Sequence, residues 1–125
     1  MNSKAIILIQ ALDDVQQYDF DYPLEKQLKA LKNTTVLTLD SQSDRSITAS
    51  VKKLLEENDQ KILILDTRLS TKLGIGQVIL NAFIQTKDLG LICLGDAKGA
   101  GPFLKLFDGK VFESEAEVVA YLSSN

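Results

Sequence analysis

Ile6-Ile7-Leu8-Ile9, Ile62-Leu63-Ile64-Leu65 and Leu91-Ile92-Cys93-Leu94 are four-residue runs apolar at every position. A strand with one face in water alternates apolar and polar residues. A run that does not alternate reads as a strand covered on both faces, as in a parallel sheet packed between helices. Two shorter or more mixed runs, Val36-Leu37-Thr38-Leu39 and Val111-Phe112, bring the set to five.

The segments between the runs carry helical spacing. Pro23 suits a first helical turn, and Leu24, Leu28 and Leu31 recur on one face behind it. Ile47, Val51, Leu54 and Leu55 repeat the pattern before the polar Glu56-Glu57-Asn58-Asp59. Ile75 to Phe83 is apolar on more than one face, and a short helix is expected from Pro102 to Phe107. Ser114 followed by Glu117 forms a capping box for a last helix with Val118, Val119 and Leu122 inward. Five strand-helix units imply right-handed crossovers. The expectation is a three-layer α/β/α, doubly wound, mostly parallel five-stranded sheet in the flavodoxin-like order 2-1-3-4-5. The 125 residues make one domain, 1–125, without repeat, linker or low-complexity tract. Asp13 to Tyr22 is the longest loop candidate.

Composition removes several chemistries. The chain has no histidine, which excludes Ser-His-Asp and Cys-His catalysis and His-ligated zinc. Its net charge of −3 argues against a nucleic-acid partner. Cys93 is the single cysteine, so no internal disulfide forms, and its place inside a strand predicts a buried, inert thiol. The run Ile6 to Ile9 is too short for a signal-peptide core or a membrane span, so a cytoplasmic protein away from membranes is expected.

In this fold class ligands bind at the carboxyl ends of the strands. Those ends read Asp13 and Asp14 after strand 1, Asp40 after strand 2, Asp66 at strand 3 and Gly95-Asp96 at strand 4. Strands 1 and 3 are neighbours in the expected order, so Asp13, Asp14 and Asp66 should converge. Three carboxylates on one edge call for a divalent cation, most naturally Mg²⁺ held by oxygen ligands. The competing reading is that aspartate closes strands because loops are wet. Gly74-Ile75-Gly76 opens a helix whose N–H groups could hold an anion, or serves only the turn and close packing. It follows strand 3 and lacks the third glycine of a dinucleotide fingerprint. The loop from Gly95 to Pro102, with Asp96, Gly99 and Gly101, is a lid candidate or a plain connection.

Two family resemblances follow. The run Ile62-Leu63-Ile64-Leu65-Asp66-Thr67-Arg68-Leu69-Ser70, with the acidic pair Asp13-Asp14, resembles the response-regulator receiver domain. That resemblance implies Asp66 as phospho-acceptor and Asp13, Asp14 and Asp66 around Mg²⁺. The receiver hydroxyl at the end of strand 4 is replaced by Gly95, and the lysine ending strand 5 is replaced by Glu113-Ser114, so the implied phospho-switch is incomplete. In the second half, Gly74-Ile75-Gly76, Leu91-Ile92-Cys93-Leu94 and Phe112-Glu113-Ser114-Glu115-Ala116-Glu117 resemble an anti-sigma-factor-antagonist (STAS) domain. Lys72 and Leu73 occupy the place of that family's serine. Both resemblances imply a non-catalytic, bacterial-type signalling module that binds a protein partner. The alternative from another class is a small hydrolase or transferase using the acidic edge with Mg²⁺. Phe103, Leu106, Phe107 and Tyr121 are expected either in the core or at a homodimer contact.

Overall fold

The computed structural model describes residues 3–12, 22–40, 43–44, 46–70, 72–86, 89–98 and 100–123. Strands and helices alternate strictly: β1 (Lys4–Gln10), α1 (Pro23–Lys29), β2 (Thr34–Asp40), α2 (Ile47–Glu56), β3 (Gln60–Thr67), α3 (Ile75–Ala82), β4 (Leu89–Gly95), α4 (Gly101–Leu106), β5 (Lys110–Phe112) and α5 (Glu115–Ser123). The sheet order is β2-β1-β3-β4-β5, and every pairing is parallel. The apolar runs form β1, β3 and β4, the three interior strands, as their lack of alternation requires.

Alternate residues of the interior strands enter two separate cores. On one face Ile6, Leu8, Ile64, Ile92 and Leu94 pack under Leu24 and Leu28 of α1 and Val118 and Leu122 of α5. On the other, Ile7, Ile9, Leu63, Leu65 and Leu91 pack under Val51 and Leu55 of α2, Ile79 and Leu80 of α3, and Phe103 of α4. Fully burying one Leu or Ile contributes about 1.5–3 kcal/mol. A few such side chains therefore match the ~5–15 kcal/mol by which a domain is stable at all, and neither helical layer is dispensable.

The local rules read from the sequence operate here. Ser114 Oγ accepts from the Glu117 backbone N–H at 3.3 Å and donates to Glu117 Oε1 at 3.2 Å, capping α5. Cys93 is fully buried, and burial pushes its thiol pKa up. Of the apolar C-terminal residues, Phe103 is buried in the core while Leu106 and Tyr121 are exposed. The buried Lys4 donates from Nζ to the Leu122 carbonyl at 2.9 Å, tying the start of β1 to the end of α5. Among the described residues no helix is long and apolar enough to cross a membrane.

Candidate functional site

The register sets the site. Gln10, the last residue of β1, lies between Asp40 of β2 and Asp66 of β3. This is the carboxyl end of the two central strands, where the crossovers diverge to opposite sides of the sheet and open α/β folds take ligands. Asp66 sits one residue before β3 ends and is only 2% exposed. Burying a carboxylate so completely is costly unless donors replace the lost water.

Four donors do so. Asp66 Oδ1 accepts from Arg68 Nε at 2.9 Å and from the Arg68 backbone N–H at 3.2 Å. Asp66 Oδ2 accepts from Arg68 Nη2 at 2.8 Å and from the Tyr22 hydroxyl. Side chains at i and i+2 of an extended segment share a face, so Asp66-Thr67-Arg68 can fold this fork back onto its own strand. Tyr22 arrives from the residue that caps α1, placed there because Pro23 begins the helix.

The cluster closes into a ring. Arg68 Nη1 donates to Glu115 Oε2 at 2.7 Å, and Gln27 Nε2 of α1 donates to Glu115 Oε1 at 3.3 Å. The path therefore runs from α1 through Tyr22, Asp66, Arg68 and Glu115 back to α1. Burial, then the charge of Asp66 and its hydrogen bond, hold the Tyr22 phenol far above its ordinary pKa. The hydrogen bond to Asp66 chiefly raises Arg68 further above its ordinary value. Tyr22 is thus a fixed neutral donor and Arg68 a fixed cation.

This arrangement bears directly on Asp66 as a phospho-acceptor or metal ligand. A carboxylate offers about four acceptor positions, and all are filled from within the chain. For Asp66 to attack a phosphoryl group or hold Mg²⁺, Arg68 and Tyr22 would first have to release it. Asp13, Asp14 and Gly99 lie outside the described residues. Among the described residues no group of three His, Cys, Asp or Glu side chains could hold a metal.

The glycines have clear structural work. Gly95 takes φ +113°, and a Cβ there would stand 3.0 Å from the Arg68 nitrogen and the Thr67 carbonyl carbon. The neighbouring Thr67 hydroxyl donates to the Asp96 carbonyl at 2.7 Å, so the first residues of the loop after β4 are pinned to the end of β3. Asp96 Oδ1 accepts from the Lys98 N–H at 2.9 Å in a local turn. Gly101 starts α4 with nothing within 4 Å of an added Cβ. At α3, Gly74 adopts φ 53°, and Gly76 allows close approach to Ile9, whose Cγ2 would lie 3.3 Å from an added Cβ. The N–H groups of Gly76 and Gln77 already donate to Leu73 and Gly74 carbonyls at 2.8 and 3.1 Å, which leaves the α3 N-terminus fewer donors for an anion.

Beside the cluster lies an open cleft of about 270 Å³ lined by Gln10, Tyr22, Pro23, Asp66, Arg68, Leu69 and Glu115. Gln10 is 4% exposed, and its Oε1 has no hydrogen-bond partner among the described residues. Tyr22, Arg68, Glu115 and Gln10 are absent from the residues singled out in the sequence. The Asp-x-Arg spacing at the end of β3 is the one local signal from which the pair could be read. Comparison with protein-family models, curated proteins and solved structures finds no match to this chain.

Proposed function

We propose that the chain is a non-catalytic, receiver-like protein-interaction module of the bacterial signalling type, acting in the cytoplasm without a phosphoryl switch. The observation that carries this reading is the saturation of Asp66. Its buried carboxylate receives Arg68 and Tyr22 where a receiver aspartate would face a metal and a phosphoryl donor. The Arg68 guanidinium supplies the positive charge that a divalent ion would otherwise bring. Gly95 carries no hydroxyl to read a phosphoryl group, and its tight packing leaves no room for one. The partner surface in this reading borders edge strand β5, where Leu106, Val111 and Tyr121 of three successive elements are 62%, 49% and 38% exposed.

The test is titration of the protein with Mg²⁺, alone and with beryllofluoride, followed by amide NMR and thermal shift. The expected result is no saturable change near Asp66 and no rise in Tm. A saturable response that disappears in Asp66→Asn would overturn the reading and establish a phospho-acceptor.

A further inference from the structure

The two edges of the sheet are unequal. β5 is three residues long and carries Lys110, and short, charged strands resist pairing with another chain. β2, the opposite edge, runs seven residues, Thr34-Thr35-Val36-Leu37-Thr38-Leu39-Asp40, with no proline, glycine or lysine. Its hydrogen bonds show which backbone groups face outward. The Asn33 carbonyl accepts from the Lys4 N–H of β1 at 2.8 Å, so the odd residues of β2 turn towards β1. Asp40 points the other way: its N–H donates to Ser43 Oγ at 3.2 Å and its carbonyl accepts from the Ser43 N–H at 3.0 Å. Backbone groups alternate sides along a strand. Thr34, Val36 and Thr38 therefore also present N–H and C=O outward, and among the described residues no group bonds to them.

These three residues are symmetric about Val36. A second copy laid antiparallel along β2, with a two-fold axis at Val36, sets Val36 opposite the partner's Val36 and Thr34 opposite the partner's Thr38. This two-fold register engages all three, and each opposed pair exchanges both of its bonds. The side chains agree with it. Thr35 stands opposite the partner's Leu37, in the closer, non-hydrogen-bonded type of pair. Thr35 is exposed and Leu37 half-buried, and both line a groove of about 290 Å³ against Leu54 of α2. Each copy's groove then receives the other's leucine, which buries apolar surface on both sides. Lys32 and Asp40 lie four positions either side of Val36, so the two ends of the pairing join opposite charges. We infer that the chain forms a two-fold homodimer through β2, joining two five-stranded sheets into one continuous sheet. The opposite edge, with Val111, stays open for a different protein.

The experiment is sedimentation velocity of the full chain from roughly 1 to 500 µM, with amide hydrogen exchange at both ends of that range. The expected result is a monomer–dimer equilibrium with a Kd of about 10–100 µM, as suits a small edge-to-edge interface. Exchange at Val36 and Thr38 should slow in the dimer alone. Thr35→Lys alters an exposed side chain, sets a charge opposite the partner's Leu37 and should weaken association by at least about tenfold. Val36→Pro deletes the central donor and should abolish the dimer; Thr35→Lys decides the matter if that variant does not fold. A monomer at every concentration overturns the inference, whether the edge then stays bare or takes a strand from another protein. So does a dimer unaffected by Thr35→Lys, or protection at Val111 in place of Val36. None of these outcomes involves Asp66, so the beryllofluoride titration is decided separately.

Discussion

Arg68 grips the carboxylate of Asp66, two residues before it, with Nε on Oδ1 at 2.9 Å and Nη2 on Oδ2 at 2.8 Å. The two forks match, which makes the contact directional as well as ionic. The partners are buried unequally: the Asp66 side chain is 3% accessible and that of Arg68 33%. The anion has left water while the cation still touches it. The carboxylate is therefore the costly group to orphan.

Arg68→Ala should lower unfolding stability by about 2–3 kcal/mol, less than a fully buried pair would give because the guanidinium is partly solvated. Arg68→Lys restores charge without the fork and should recover about half of the loss. Glu115→Gln, at the wetter end of the ring, should cost under about 1 kcal/mol. Urea unfolding of the three variants checks the order. An Arg68→Ala loss below about 0.5 kcal/mol would mean that Asp66 is not held as described.

Tyr22 makes a prediction about alkaline pH. Its folded-state pKa is raised above the ordinary 10.0, so the folded chain keeps the phenolic proton where the unfolded chain releases it. The stabilisation is complete below pH 10 and falls as pH rises beyond it, by up to about 1.4 kcal/mol per pH unit from this group. Tyr22→Phe should abolish that component and cost about 1–2 kcal/mol at neutral pH through the lost donor to Asp66. Stability of the two proteins measured from pH 8 to 12 should converge at the alkaline end. Parallel curves would refute the assignment.

Two glycines of the loop around β4 and α4 should respond differently. Gly95→Ala forces an L side chain into φ +113° and against the Thr67–Arg68 peptide, and should destabilise by about 2–3 kcal/mol. Gly101→Ala meets no atom beyond its chain neighbours, and Pro102 behind it offsets the gain in helix propensity, so it should stay within about 0.5 kcal/mol of neutral. Thermal unfolding of the pair separates a pinned strand end from an open one.

Periodicity made the fold legible because it reports burial directly. Ile6 to Ile9 and Ile62 to Leu65 show no alternation because helices cover both faces of β1 and β3. Ser114 and Glu117 announced α5 because a capping box is local. Asp66 is legible near the end of β3, one residue before the strand closes at Thr67, because the apolar run stops there. Its partners were not legible. Tyr22 is 44 residues away and reaches Asp66 only once α1 is seated on the sheet. Gln10 becomes its neighbour through the parallel register, which no local pattern encodes. The tight fit of Gly95 likewise needs β3 and β4 already paired. Long-range geometry, not residue type, decides what those positions do.

The bond from Lys4 to Leu122 joins residues 118 positions apart, across the first strand and the last helix. Until α5 has been synthesised, Ile64, Ile92 and Leu94 lack part of their cover, and Arg68 has no Glu115 to meet. A chain cut short before α5 therefore leaves apolar side chains of β3 and β4 only partly covered on this face. Docking of α5 completes that cover, so cooperative closure of this core depends on a contact between the two elements of the fold most distant in sequence.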